Sequence, residues 1–478
     1  MTTNRSWAVY NHSYRAKEMA TLAGWIRSGA SGAVVGLTGA GKSNLLGFLC
    51  HRPEILQSYL APWAGSVALV LVDLNNLPAS SLSSLYRLIL RSFYETRPYF
   101  ETDLRQTVTK LYEENRMVRD PFLSQSALRE LLLLFQTHHV RVVLVLDHFD
   151  HFCQVASPQL ADTLRGLRDS FKSTLCYLVG VRQEIAYLSD PTILSELYEL
   201  LDSHVCWIGP LTETDARQLI ADEMHAVLTP PTENEIMHLL ALTGGYPSLL
   251  KAACHWWLTA SDKPAATEWA SALLAEHSLQ YRLAEIWAGL TQEEQLALAQ
   301  LQKWQSRAAS TAGQDKALAR TFEGLVKQHR PALARLTAKG LCQQVDSGWR
   351  IGSELLAGYV TQAAGRGSGK IWLDEETEEL YQGQNLLTDL APLERAVLYF
   401  LVKHPRLRHT KTDLIVHAWP EELRQQGVTD DSLYQVIAKL REKIEPNPAK
   451  PCYLVTWRGT RGGMLEGGYQ FFAEGRPG

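Results

Sequence analysis

No Cys-x-x-Cys pair occurs in the 478 residues, and the seven cysteines (Cys50, Cys153, Cys176, Cys206, Cys254, Cys342 and Cys452) are scattered and odd in number. That argues against a zinc site and against a disulfide framework, and predicts reduced core thiols in a cytoplasmic protein. No apolar run reaches the ~18 residues that a membrane span needs. The N-terminal stretch MTTNRSWAVYNHSYR lacks the apolar centre of a secretory signal, so no membrane partner is expected. Charge of one sign is also scarce. With 47 Lys and Arg against 51 Asp and Glu the formal net charge is −4, too small a bias for a polyanion-coating protein or an acidic disordered one. Internal repeats and low-complexity tracts are absent. What is abundant is apolar material, 46% of the chain, enough for several cores. At about 150 residues per domain the length suggests three.

Short aliphatic runs alternate with helical patterns in the N-terminal half. Ala33 to Gly36, Val67 to Val72, Arg141 to Leu146, Leu175 to Gly180 and His204 to Ile208 read as strands, several of them apolar on both faces. Such runs belong to buried parallel strands, so the expected fold is α/β, a parallel sheet flanked by helices. Tyr14 to Ile26 and Ser80 to Tyr94 read as helices, the second opened by serines that can cap it. From Thr212 to about Tyr281 only helical patterns occur, broken at Gly244-Gly-Tyr-Pro247. Residues 283–362 again read as helices and close on a helix followed by a Ser-Gly hairpin, Gln344 to Ile351, a small winged-helix pattern. Gln362-Ala-Ala-Gly-Arg-Gly-Ser-Gly369 reads as a flexible linker.

The stretch Gly36-Leu-Thr-Gly-Ala-Gly-Lys42-Ser43 falls between the first strand and a helix beginning Asn44-Leu-Leu. Phosphate needs backbone amides and a cation. Gly36, Gly39 and Gly41 let the loop approach where a Cβ would clash, the helix aims its positive end at the same anion, Lys42 reaches the terminal phosphates, and the Ser43 hydroxyl can coordinate Mg²⁺. Ala40 and Asn44 complete the loop. This predicts ATP or ADP as bound nucleotide. Asp147, ending an aliphatic strand, can hold the magnesium, and Arg182, ending the next, faces the same sheet edge as a γ-phosphate sensor. His148 occupies the position where a carboxylate would orient the attacking water, and Asp150 lies one helical turn away as a partial substitute. A metal site of His148 and His151 with Asp147 and Asp150 is the alternative reading of the same residues.

In their order these motifs resemble the STAND class of P-loop ATPases, relatives of the AAA+ group. Tyr14-Arg15-Ala-Lys-Glu18 resembles the segment that covers the adenine, Gly209-Pro-Leu-Thr212 with Asp215 and Ala216 the approach to a helical lid, and Gly245-Tyr-Pro247 the lid motif whose proline lies against the base. The resemblance covers roughly residues 8–362. It implies an N-terminal lead-in over 1–30, a nucleotide-binding domain over 31–210, a helical lid over 211–282 and a winged-helix subdomain over 283–362. It also implies Arg15 and Pro247 as nucleotide contacts, a slow ATPase acting as a switch, nucleotide-dependent homo-oligomers, and an activating signal that the sequence does not disclose.

After the linker at 363–369, residues 370–478 resemble the winged helix-turn-helix output domain of OmpR/PhoB-type regulators. The resemblance is carried by Leu390-Ala-Pro-Leu-Glu394, Lys411-Thr-Asp-Leu414, the segment Val428 to Arg441, Arg458-Gly459 and Gly468-Tyr469. It implies double-stranded DNA as partner and transcription regulation as function. In the helix, Leu433, Val436, Ile437 and Leu440 make an apolar stripe. Ser432, Tyr434, Gln435, Lys439, Arg441 and Lys443 are left outside as DNA contacts, with Arg458 in the wing. Residues 388–474 hold 12 Lys and Arg against 11 Asp and Glu, a net of +1. That is little cationic excess for an isolated DNA binder, and it leaves a protein-docking role for the winged helix as the alternative. The span Thr460 to Gly467 is longer than the family's tight wing turn.

Overall fold

The computed structural model describes residues 10–475 except 79, 189–190, 226–229, 261–262, 311–315, 346–347, 364–369, 376, 384, 420–429, 446–447 and 462–463; the side chains of 191, 309–310, 316–321, 385, 430, 458–461 and 464–466 also lie outside the description. The chain forms two compact units: Met1–Glu294 with Val326–Leu356, and Gln295–Leu325 with Ala357–Gly478. The expected subdomain 283–362 therefore contributes to both. The expected linker falls almost wholly on residues outside the description.

In the first unit five parallel strands, β1 (Gly32–Val35), β2 (Ser66–Asp73), β3 (Val140–Asp147), β4 (Leu175–Val181) and β5 (Val205–Trp207), lie in the order β2-β3-β4-β1-β5. The α/β reading of the sequence holds. Val142, Val143, Leu144 and Val145 are fully buried, as strands covered by helices on both faces must be. Two helices between β2 and β3, Thr102–Asn115 and Pro121–Thr137, extend this cover. The second begins on Asp120, whose side chain accepts from the Phe122 and Leu123 amides. The helix Leu82–Thr96 starts after Ser81, which caps it by accepting from the Ser84 amide. Helices Glu213–Glu223, Glu233–Thr243 and Pro247–Thr259 follow the sheet, the last two separated at Gly244, which takes a left-handed φ of 61° and ends one helix before Pro247 opens the next. The hairpin β6 (Cys342–Val345) with β7 (Gly348–Ile351) pairs in register from Cys342↔Ile351 to Val345↔Gly348; its turn, 346–347, lies outside the described residues. Among the described residues no helix is long and apolar enough to cross a membrane.

The second unit contains a small antiparallel sheet, β8 (Ile371–Leu373), β9 (Leu380–Gln382) and β10 (Asn385–Leu386), that the sequence reading did not anticipate. Beyond it come helices Pro392–Lys403, Lys411–Ala418 and Asp430–Ile444. A second sheet joins β11 (Arg408–Thr410), β13 (Met464–Phe471) and β12 (Leu454–Arg461) in that order. Leu433, Ile437, Leu440 and Ile444 are buried against Val397, Leu401, Leu414 and Phe471. The apolar stripe expected at 433–440 thus faces a core. The long wing is a long hairpin: pairing continues from Leu454↔Phe471 to Arg461↔Met464, so the extra residues extend the strands.

Candidate functional site

The loop after β1 is shaped by two left-handed glycines, Gly39 (φ 80°) and Gly41 (φ 93°). Gly41 sits immediately before the helix Lys42–His51, where an L side chain would be strained. The Lys42 ammonium turns back into the loop and donates to the Gly36 carbonyl, with the Leu37 carbonyl at 3.5 Å. Burial holds its pKa down at about 8, while Asp150 and Asp147 pull it the other way.

Asp147 ends β3 with only 5% exposure. Its carboxylate is admitted by Gly180 on β4, where a Cβ would come within 2.9 Å of Asp147 Oδ1. Asp147 Oδ1 accepts from the His148 amide at 2.9 Å. Asp150 accepts from the Arg182 amide at 2.9 and 3.1 Å, tying the ends of β3 and β4 together. His148 stands in a left-handed backbone conformation, φ 56°, and its Nδ1 lies 2.9 Å from Asp73 Oδ1. That hydrogen bond raises the His148 pKa, against partial desolvation. The Asp73 partner was missed in the sequence, although the pattern was present: β2 and β3 both end in aspartate, and Asp73 and Asp147 are register partners.

From the helices that follow the sheet, Tyr246 donates its hydroxyl to the Thr38 carbonyl at 3.0 Å and the Ser248 amide donates to the Gly39 carbonyl at 3.2 Å. The Gly245-Tyr-Pro247 segment is therefore latched across the loop. Together these elements enclose a cavity of about 320 Å³ bordered by Gly39, Gly41, Lys42, Ser43 and Asn44, by Asp147, His148, Asp150 and Arg182, and by Pro247. Ser248, Lys251 and Arg282 also line it; the sequence reading did not single them out. Four cations (Lys42, Arg182, Lys251, Arg282) face two carboxylates there. Arg282 Nε is buried without a hydrogen-bond partner, and Lys251 is paired with Glu223 at 3.1 Å. The excess of cations and the volume suit an anionic ligand. A serine hydroxyl beside a carboxylate, Ser43 with Asp147, is an oxygen donor pair of the kind magnesium takes. Among the described residues no group of three or more His, Cys, Asp or Glu side chains is placed to hold a metal.

Arg15, Gly36 and Ala40 do not border the cavity. Arg15 is 1% exposed with φ 48°. It donates to the Ala40 carbonyl at 2.7 Å and the Gly209 carbonyl at 2.9 Å, while its amide donates to Asp215 at 3.1 Å. It bolts the lead-in segment, the phosphate loop and the helix Glu213–Glu223 together from behind.

On the C-terminal helix, Ser432, Tyr434, Gln435 and Lys439 are exposed. Arg441 and Lys443 are spent inside the domain, contrary to a role as free surface cations. Arg441 donates to the Leu454 carbonyl at 2.7 and 3.0 Å and to Thr456 Oγ1 at 2.9 Å. Lys443 pairs with Glu394, which is nearly buried, and with the Asp389 carbonyl. Helical spacing alone put both outside; the wing and the helix Pro392–Lys403 reach around to meet them. The nearby carboxylate of Glu445, 4% exposed, accepts from the amides of Cys452, Tyr453 and Leu454. The Arg458 side chain lies outside the described residues.

Residues 383–461 match the family described as "Transcriptional regulatory protein, C terminal", so this part of the chain is a winged helix of the OmpR/PhoB type. No curated protein matches the chain. Among solved structures, the chain is similar to the Walker-type ATPase PABY2304 of Pyrococcus abyssi, at 14% identity over 73% of this chain and 95% of that one, with a TM-score of 0.43. It is also similar to the ORC2 protein of Aeropyrum pernix in its ADPNP–ADP complexes, at 14% identity over 76% and 95%, TM-score 0.35. The RuvB Holliday junction branch migration motor of Thermotoga maritima is a further similar structure, at 12% identity over 70% and 90%, TM-score 0.29.

Proposed function

We propose that the chain is a nucleotide-dependent switch of the STAND type that regulates transcription through its C-terminal winged helix. The observation that carries this is the cavity at the carboxyl ends of β1, β3 and β4, where Lys42, Ser43, Asp147 and Arg182 converge under a latched Gly-x-Pro segment. Ligands of open α/β sheets bind at that edge. ATP or ADP would lie with its phosphates along the loop amides 39–44. Lys42 would contact the terminal phosphates, and Arg182, with Arg282, would face the γ-phosphate. Ser43 and Asp147 would hold Mg²⁺, which neutralises phosphate charge when bound. Pro247 would meet the base, and Arg15 would set the loop's position from behind.

Turnover is slow in this reading. A general base must be free to take a proton, and His148 is held towards its protonated form by Asp73. The second candidate, Asp150, is engaged by the Arg182 amide. Slow turnover suits a two-state switch, with ADP and ATP favouring different assemblies. A second reading, in which the winged helix docks a protein partner, is favoured by the internal use of Arg441 and Lys443. Mass photometry of the full chain tests the switch: ATP with Mg²⁺ is expected to convert monomers to a defined larger species that ADP does not support. An identical mass distribution with both nucleotides, under conditions where both bind, contradicts it.

A further inference from the structure

A second cleft, about 160 Å³, opens on the other side of Asp73, between the turn Leu74–Asn76 and the helices Leu82–Thr96 and Thr102–Asn115. Its polar lining is Arg87, Arg91, Arg116, Asn76, Ser84 and Asn115, and among the described residues no carboxylate lines it. Three arginines share one cleft, with a carboxylate partner shown for Arg91 alone, and like charges so placed repel one another unless an anion joins them. One of them is also incomplete: Arg87 Nε is buried and has no hydrogen-bond partner, a state that native structures rarely leave unexplained. Arg91 reaches Glu95 at 2.8 Å, but both ends of that pair are more than half exposed, so it is weak and easily exchanged. The apolar wall is supplied by Leu88, Leu90 and the half-buried Tyr112.

The cleft is wired to the nucleotide cavity by two hydrogen bonds. Asn76, which lines the cleft, donates from Nδ2 to Asp73 Oδ2 at 3.1 Å, and Asp73 Oδ1 holds His148 Nδ1 at 2.9 Å. His148 borders the nucleotide cavity.

We propose that this arginine cleft is an effector site for a small dianion of the phosphate-monoester class, and that its occupant acts on the nucleotide site through Asn76, Asp73 and His148. Planar guanidinium forks suit phosphate oxygens, the volume admits a phosphate on a short carbon skeleton, and the apolar wall accommodates that skeleton. An anion that draws the Asn76 amide away from Asp73 shifts the carboxylate that positions the His148 ring at the edge of the nucleotide cavity, so occupancy changes turnover there. The coupling, though not the site, rests on the switch reading above.

Isothermal titration of the full chain, saturated with ADP and Mg²⁺, against 3-phosphoglycerate and inorganic phosphate at matched ionic strength tests the site. The saturating ADP occupies the nucleotide cavity and keeps it out of the result. Saturable binding weakened at least tenfold by Arg87→Met is expected. Because Arg87 is partly buried, Arg116→Gln, at an exposed helix end, serves as the second variant, with a smaller loss. Absence of binding by both probes, or binding indifferent to both substitutions, overturns the site. The coupling is read from ATP turnover: a bound probe changes it in the wild type and leaves Asp73→Asn, whose residue does not line the cleft, at its own basal rate. Unchanged turnover in the probe-saturated wild type overturns the coupling while leaving the site standing, and absence of ATP binding would instead implicate the switch reading.

Discussion

Lys42 and Arg441 are both cations carried on helices, and the protein uses them in opposite ways. Lys42 donates to loop carbonyls, and its pKa is driven down to about 8 by burial against the pull of Asp150 and Asp147. It borders a cavity in which cations outnumber carboxylates. Arg441 is engaged by the Leu454 carbonyl and Thr456, and its near neighbour Lys443 by Glu394. The sheet edge directs its cations at a cavity, whereas the C-terminal helix turns Arg441 to its own wing and Lys443 to Glu394. A cation count treats the two regions alike. The partners tell them apart: one set of cations lines a cavity, and the outer face of the other helix carries Lys439 among Ser432, Tyr434, Gln435 and the exposed carboxylates Asp431 and Glu442.

The largest expected effect is at the first region. Removing a charge that meets phosphates in an enclosed site costs about 3 to 5 kcal/mol, or roughly two to four orders of magnitude in affinity. Lys42→Ala should therefore abolish fluorescent ATP binding at micromolar concentrations; unaltered binding breaks the assignment of the loop. In the second region the comparison predicts a split. Arg441→Ala strands the Leu454 carbonyl and should cost about 1 to 3 kcal/mol of stability, visible as a lowered thermal midpoint. Lys439→Ala should leave that midpoint unchanged and weaken only DNA binding. Equal stability losses in the two variants would show that Arg441 is as free as Lys439.

Two smaller effects follow from protonation. His148 has a raised pKa, so the stability it draws from Asp73 is complete below its ordinary value of about 6.5 and is lost as pH rises through the raised value. Turnover should rise over the same window as the imidazole becomes neutral. In Asp73→Asn the rise should move to lower pH, making turnover at neutral pH faster; a profile unmoved by the substitution contradicts the pairing. For Lys42 the sign is opposite. Its folded pKa of about 8 lies below the unfolded value near 10.4, so its charge is a cost to the free protein below pH 8, relieved as pH rises. Bound phosphate restores the charge. ATP affinity should therefore decline gradually above pH 8, with proton uptake on binding at pH 8.5, measurable as a dependence of the calorimetric enthalpy on buffer.

The α/β fold was legible because its strands are aliphatic on both faces, and each expected strand matches an observed one to within one or two residues. The phosphate loop was legible because its glycines and lysine are contiguous. The Asp73–His148 pair was not: its members are 75 residues apart in sequence and meet only because β2 lies beside β3. Lys251 and Arg282 were hidden in ordinary amphipathic helices. The misplacement of Arg441 and Lys443 has the same origin, since helical periodicity identifies the side of a helix that faces the core but not which distant segments fold over its flank.

The central claim, that nucleotide at the first region governs DNA binding at the second, is tested most directly by fluorescence anisotropy. The full chain is titrated onto fragments of its own upstream region with ATP or ADP, at two salt concentrations. With few free cations per copy, one winged helix binds weakly, and each phosphate contact makes log affinity fall by about 0.9 per log unit of salt. Copies joined by an ATP-driven assembly gain roughly 10² to 10⁴ when geometry permits. The account predicts salt-sensitive binding that is much tighter with ATP than with ADP, with the ATP-dependent gain absent in Lys42→Ala and binding weakened in both nucleotide states by Lys439→Glu. Binding of equal strength with ATP and ADP, or no salt-sensitive binding to any fragment, would contradict it.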